Sequence, residues 1–254
     1  VDALNPNVAA RLAERAARHP ERAAIVEGTG RRRRSATFGV MATRVAALAA
    51  GLEARGIGPG DRVLLFVPMS IDLYVVLLAV LARGATAVFV DAWAGRARVD
   101  AAVRAARPKA FVGTPKAHLL RVVSPAVRRI PLHLVAGRGW LSVDRNAVHG
   151  AAPAAVLVAP DAPALVTFTT GSTGAPKAAA RSHAFLWAQH RALAAHLGLR
   201  DEDVDMPTLP IFVLNNLALG VTTVLPDVDP RAPGDVDPAA VVRQMEAEGV
   251  TTTS

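Results

Sequence analysis

Through the middle of the chain, short apolar runs alternate with helix-length stretches, and this alternation narrows the fold more than any other feature. Val63-Leu64-Leu65-Phe66-Val67, Ala87-Val88-Phe89-Val90 and Ala110-Phe111-Val112 are continuous apolar segments. Runs this short and this uniform fit strands buried on both faces, because a half-solvated strand would alternate with polar residues. The stretches between them predict helices. Ser70 can cap one that runs through Leu81; it is apolar on most sides, hence buried, and Gly84 ends it. A second helix is expected over residues 96–106. Ile130–Val135 and Leu165–Phe168 predict two further strands. Buried strands separated by helices imply an α/β fold, a mostly parallel sheet covered on both faces.

The flanking segments are less regular. Asn7 can cap a first helix with Val8, Leu12 and Ala16 on one face, ended by His19-Pro20. Ala23–Val26 predicts a short strand, Gly28–Arg34 a polar turn, and about Gly39 to Ala54 a helix. Arg31–Arg34 invites a nucleic-acid reading, but it lacks interleaved aromatics and a recognition helix. A solvated hairpin tip fits better, and no nucleic-acid partner is expected. Gly137–Pro163, rich in glycine, alanine and proline without a period, predicts a linker and a subdomain break. Ser182 is expected to cap a helix ending at Gly198. Asp201-Glu202-Asp203-Val204-Asp205 predicts a solvated turn rather than a cation site, and no metal-ligating set is assigned.

Composition excludes several classes of chemistry. There is no cysteine, so disulfide frames, thiolate metal sites and cysteine nucleophiles are ruled out. The net charge is +8 from 29 Lys+Arg against 21 Asp+Glu, with the arginines read as scattered; a GC-rich genome gives the same figure. Val1 to Arg22 contains no apolar signal core, and Ile71 to Leu81 carries Asp72 and is too short to span a bilayer of about 30 Å. A cytoplasmic location without an integral membrane segment is the expectation.

The chemistry is concentrated at Val166–Lys177, Val-Thr-Phe-Thr-Thr-Gly-Ser-Thr-Gly-Ala-Pro-Lys. A β-branched run ends in two hydroxyl residues, breaks into Gly171-Ser172-Thr173-Gly174 and closes on Pro176-Lys177. Glycines let consecutive N–H groups turn toward one point, and such concave donor arrays bind anions. Thr169, Thr170, Ser172 and Thr173 add hydroxyls, and Lys177 adds a mobile point charge suited to phosphate. A Walker A loop is excluded, because Pro176 and Ala178 fall where it needs glycine and a hydroxyl. A nucleophile elbow is excluded because Ser172 directly follows its glycine.

The segment resembles the phosphate loop of the AMP-forming adenylate synthetases, the superfamily of acyl-CoA ligases, luciferases and peptide-synthetase adenylation domains. That loop runs hydroxyl, hydroxyl or small, Gly, Ser/Thr, Thr/Ser, Gly, any, Pro, Lys, and Thr169–Lys177 meets every place. Gly58–Val63 is similar to the family's turn and strand before its first buried helix, and Gly84–Asp91 to its next strand. Ala178 and Ala179 depart from the Gly-Val that commonly follows the lysine. The resemblance implies an αβαβα sandwich of mostly parallel sheets, of which residues 1–254 match the N-terminal portion, without the C-terminal lid. It implies ATP and Mg2+ as cofactors, with Thr169, Thr170, Gly171, Ser172, Thr173, Gly174 and Lys177 holding the nucleotide. The family's later motifs and its lid lysine find no match, so catalytic residues stay unassigned and a fragment inactive by itself is expected.

Pro207–Asn216 falls where the family carries Leu-Pro-Leu-Phe-His, with Val213 in place of the histidine. Residues 207–230 resemble the olefin-biosynthesis branch, whose β-lactone synthetases adenylate a long-chain β-hydroxy acid and let its own hydroxyl displace AMP. Phe212, Val213, Leu214 and Asn215 are the substrate candidates this implies, although the apolar ones suit a protein core as well. A fatty acyl-CoA or acyl-AMP ligase is the alternative, and a catalytically dead nucleotide-binding module a further one. Partners implied are a small carboxylic acid and enzymes of the same pathway.

Overall fold

The computed structural model describes residues 6–90, 95–136, 155–169, 177–229 and 232–254. The chain forms two compact units. The first comprises a segment ending at Ala10, with Arg44–Pro68 and Val75–Trp187; the second comprises Arg11–Thr43, Met69–Tyr74 and Ala188–Ser254. In chain order the elements are α1 (Ala10–Arg18), β1 (Ala23–Glu27), β2 (Arg34–Thr37), α2 (Phe38–Glu53), β3 (Arg62–Phe66), α3 (Ile71–Ala82) and β4 (Thr86–Val90). There follow α4 (Arg96–Ala106), β5 (Ala110–Gly113), α5 (Leu120–Val123), α6 (Pro125–Arg128), β6 (Leu132–Val135) and β7 (Pro163–Thr169). The last are β8 (Lys177–Ser182), α7 (His183–Leu197), β9 (Val204–Asp205), α8 (Pro210–Leu219), β10 (Thr222–Leu225) and α9 (Pro238–Glu248). The class is α/β, as the apolar alternation implies.

The first unit is built on a six-stranded sheet in the order β6-β5-β3-β4-β7-β8, parallel except for the antiparallel edge strand β8. Strand residues alternate sides. Leu64, Val88, Phe111 and Phe168 join Val99, Ala102, Val103 and Ala106 of α4 and Val127 of α6 in one core cluster. Their neighbours Val63, Leu65, Ala87, Ala110, Val112 and Leu165 point the other way and are also buried. Burial on both sides is why these strands read as unbroken apolar runs. In α4 the buried residues sit at i, i+3, i+4 and i+7, the stripe of a helix laid on a sheet.

Two predicted boundaries carry the geometry expected of them. Ser70 Oγ accepts from Leu73 N at 3.2 Å, the N-cap of α3. Gly84, past the end of α3, has φ +67, and a Cβ there would lie 2.9 Å from Val156 Cγ2 and 3.0 Å from Val158 Cγ1. Gly84→Ala combines a left-handed backbone with overpacking. It is expected to cost about 2–3 kcal/mol in urea unfolding at constant m-value. A loss below about 0.5 kcal/mol would show that the Val156–Val158 segment yields freely.

The second unit has a mixed four-stranded sheet, β2-β1-β10-β9, with β1–β2 antiparallel and the other pairs parallel. Val26, Met206 and Val224 form its core, with Val241 and Met245 of α9 packed on it. Asp237 caps α9 through Oδ1 to Ala239 N at 3.0 Å, Pro238 opens the helix, and Gly249 at φ +64 closes it. Beyond α9 the chain runs extended and parallel beside β9, with Asp205 opposite Thr252 and Met206 N donating to Thr252 O at 3.0 Å.

Several expectations need revision. The Arg31–Arg34 turn is a hairpin, but it is not simply solvated. Arg33 pairs with Glu248 at 2.6 Å, while Arg34 pairs with Glu27 from strand β2, which the polar composition hid. The acidic run 201–205 is not a solvated turn throughout: Asp201 and Glu202 are exposed, yet Asp205 lies in β9 and is fully buried. The expected linker at 137–163 falls mostly outside the described residues, and its described end, residues 155–162, leads into β7 within the first unit. Asp91, the last residue of the Gly84–Asp91 segment that is similar to the family's next strand, also lies outside them.

Candidate functional site

Strand β7 carries Thr169 to the end of the sheet, and its hairpin partner β8 begins at Lys177. Their ladder pairs Thr167 with Ala179, Phe168 with Ala178 and Thr169 with Lys177. The two ends of the glycine-rich connection therefore stand directly opposite each other. Thr170, Gly171, Ser172, Thr173 and Gly174 lie outside the described residues, as does Pro176. Phe168, 7% exposed, anchors the root of the hairpin in the core. Arg181 Nη1 donates to Thr167 Oγ1 at 3.0 Å and ties the strands side to side. Ala178 and Ala179, which replace the commoner Gly-Val, leave the ladder regular.

Position matters as much as sequence here. Val90 pairs with Phe168, so the connection leaves the carboxyl end of β7 beside the carboxyl end of parallel β4. Ligands of open α/β sheets bind outside the carboxyl ends of strands, where side chains and backbone donors of the following connections converge. Lys177 and the alanines at 178–180 are exposed, and among the described residues no acidic side chain pairs with Lys177. An exposed lysine at the mouth of such a connection is available to an anion. No group of three or more metal-ligating side chains gathers among the described residues.

The substrate candidates belong to the second unit, on α8. Val213 is fully buried, on the same helix face as Asn216 and Leu217, which makes it a core residue of the helix. Phe212 and Leu214 flank it and are half-buried. Asn215 is 3% exposed; its Oδ1 lies 2.8 Å from His190 Nδ1 on α7, while its Nδ2 is buried with no hydrogen-bond partner among the described residues. A buried amide donor without an acceptor is costly and marks a place where a ligand oxygen could be met. Tyr74 Oη donates to Pro210 O at 3.3 Å and steadies the start of α8; burial pushes its phenol pKa up.

Two buried groups gave no warning in the sequence. Asp205 accepts from Asn216 Nδ2 and from Ser254 Oγ, both at 2.7 Å, so β9, α8 and the extended segment beyond α9 meet on one carboxylate. His183, the first residue of α7, is fully buried; Nδ1 accepts from Val8 N at 3.3 Å, and Nε2 has no partner among the described residues. Removal from water lowers its pKa from 6.5 to about 4. The position after the Ser182 cap gave a helix start but no sign of burial.

With this geometry in hand, comparison with known proteins is specific. A model of the AMP-binding enzyme family matches residues 12–254. An olefin beta-lactone synthetase of Stenotrophomonas maltophilia is 34% identical over 96% of the chain and 47% of its own length. That of Xanthomonas campestris pv. campestris is 33% identical over 96% and 46%. The chain thus spans about half the length of these curated relatives. The solved fatty acyl-adenylate ligase from L. pneumophila, in complex with acyl adenylate and pyrophosphate, superposes with a TM-score of 0.80. It is 20% identical, covering 98% of the chain and 44% of its own, a likeness of fold alone. The matched residues include both the β7–β8 hairpin and α8, and the chain belongs to the AMP-binding enzyme family.

Proposed function

We propose that this chain forms the phosphate-holding part of an enzyme that uses ATP to activate a carboxylic acid as its acyl-adenylate. The observation that carries the reading is the hydroxyl- and glycine-rich Thr169–Lys177 segment, held between two facing strand ends at the carboxyl edge of a parallel sheet. In the reaction a carboxylate oxygen bonds to the α-phosphorus while the bond to the pyrophosphate oxygen breaks. Lys177, the hydroxyls of Thr169, Thr170, Ser172 and Thr173 and the amides around Gly171 and Gly174 would hold the β- and γ-phosphates. They orient the leaving group and offset its charge, which is most of what phosphoryl chemistry asks of a protein. Magnesium bound to the phosphate oxygens would add to that neutralisation.

For the acid we propose a long-chain β-hydroxy acid, converted in the cytoplasm to a β-lactone. Similarity to the two olefin beta-lactone synthetases supports this; Val213, buried in the core, takes no part in the choice. Phe212 and Leu214 would flank the alkyl chain, and Asn215 Nδ2 would donate to a substrate oxygen. Mass analysis of the product of the protein spanning the relatives' full length tests the choice. A lactone formed without coenzyme A supports it. A thioester formed only with coenzyme A would replace it with an acyl-CoA ligase.

A further inference from the structure

The net charge of +8 is not scattered. Residues 95–136 hold nine of the 29 Lys+Arg and one of the 21 Asp+Glu, so the rest of the chain is balanced. A genome-wide preference for arginine codons adds cations everywhere and gives no account of an excess confined to one stretch. All nine cations are exposed, and among the described residues only Lys109 has a carboxylate partner, Asp61 at 2.9 Å.

This stretch folds into one layer. Val99, Ala102, Val103 and Ala106 of α4, Leu120 of α5 and Val127 of α6 bury against the same face of the six-stranded sheet. Their opposite sides therefore face outward together. Arg96 Nη1 reaches Val123 O at 3.4 Å, and Ser124 Oγ donates to Asp100, which locks α5 and α6 beside the start of α4. On the outer surface Leu119, Val122 and Val123 are 64%, 74% and 51% exposed, set among Arg121, Arg128 and Arg129.

Aliphatic side chains standing out of a cationic surface need a partner with both negative charge and an apolar interior. From this we infer that the α4–α6 layer is a docking surface for an anionic lipid bilayer. Lipid phosphates take the guanidinium groups, and the boundary of the acyl region takes Leu119, Val122 and Val123. Nucleic acid would satisfy the arginines but offers nothing to three protruding aliphatics. Phe111, the stretch's one Phe, Tyr or Trp, is fully buried and cannot stack on a base. Attachment of this kind is peripheral; no helix among the described residues is long and apolar enough to cross a membrane.

The test is sedimentation of the whole chain with phosphatidylcholine vesicles, with and without about one-third phosphatidylglycerol. The anionic vesicles should carry the protein down, the neutral ones should not, and raising the salt should release it. Combined R121Q, R128Q and R129Q should weaken association on the order of 100-fold, about fivefold per charge. V122D should weaken it at least about tenfold with all nine cations in place, because a carboxylate would have to enter the acyl boundary. The same neutralisation at Arg18, Arg31 and Arg32, exposed on the second unit, should change it little. Equal loss in that control, equal binding to neutral vesicles, or binding to duplex DNA with vesicles ignored would each overturn the assignment.

Discussion

Lys177→Ala in the protein spanning the relatives' full length is expected to lower ATP–pyrophosphate exchange by about 10²–10³ without lowering thermal stability. The first half follows from the place of Lys177 at the mouth of the glycine-rich connection, where under the proposed function its charge would offset that of a departing pyrophosphate. The second follows from its exposure and from the place of Lys177 in the backbone ladder opposite Thr169. Lys177→Arg keeps the charge but not the compact ammonium, so partial recovery is expected. If exchange survives the alanine substitution at near its original rate, the lysine has no part in holding phosphate. If activity and melting temperature fall together, its role is structural.

The second large effect is on stability against pH. His183 is neutral in the folded chain, with a pKa near 4, whereas an unfolded histidine titrates near 6.5. Between those values the unfolded chain binds the proton and the folded chain does not. The contribution is therefore fully present above pH 6.5, erodes as pH falls, and is lost below about pH 4. The gap between the two pKa values corresponds to about 3 kcal/mol, most of it gone by pH 4.5. Other groups titrate over the same window, so the informative quantity is the difference between the natural chain and H183N. Asparagine keeps an acceptor near the Val8 N–H and does not ionise. In urea unfolding the advantage of the natural chain should be about 2–3 kcal/mol smaller at pH 4.5 than at pH 7.5. A difference that does not change with pH would mean that His183 is not held neutral.

What could be read in advance, and what could not, has a common cause. β3, β4, β5 and β7 were legible because burial on two faces writes itself into consecutive residues, and Ser70, Ser182 and Gly84 were legible because caps are local. β2 and β9 were not. Arg34 sits in a strand because Glu27 neutralises it, and Asp205 is buried because Asn216 and Ser254 donate to it. Those partners are brought together only by the finished fold. The same holds for the pairing of β1 with β10, Ile25 opposite Thr223, which no local pattern announces. At the candidate site, residue type and spacing single out Thr169–Lys177 as a proposal, whereas the hairpin register that sets its ends is a matter of tertiary pairing. On α8 the motif was visible, yet which side of Val213 faces the core depends on helix phase, and the unpartnered amide of Asn215 is visible only in three dimensions.

The most direct measurement is a structure of the protein spanning the relatives' full length, soaked with ATP. The β- and γ-phosphates are expected against the connection between Thr169 and Lys177, within hydrogen-bond reach of its amides and hydroxyls and of Lys177 Nζ. Nucleotide bound elsewhere, with that connection closed on itself through its own backbone hydrogen bonds, would contradict it.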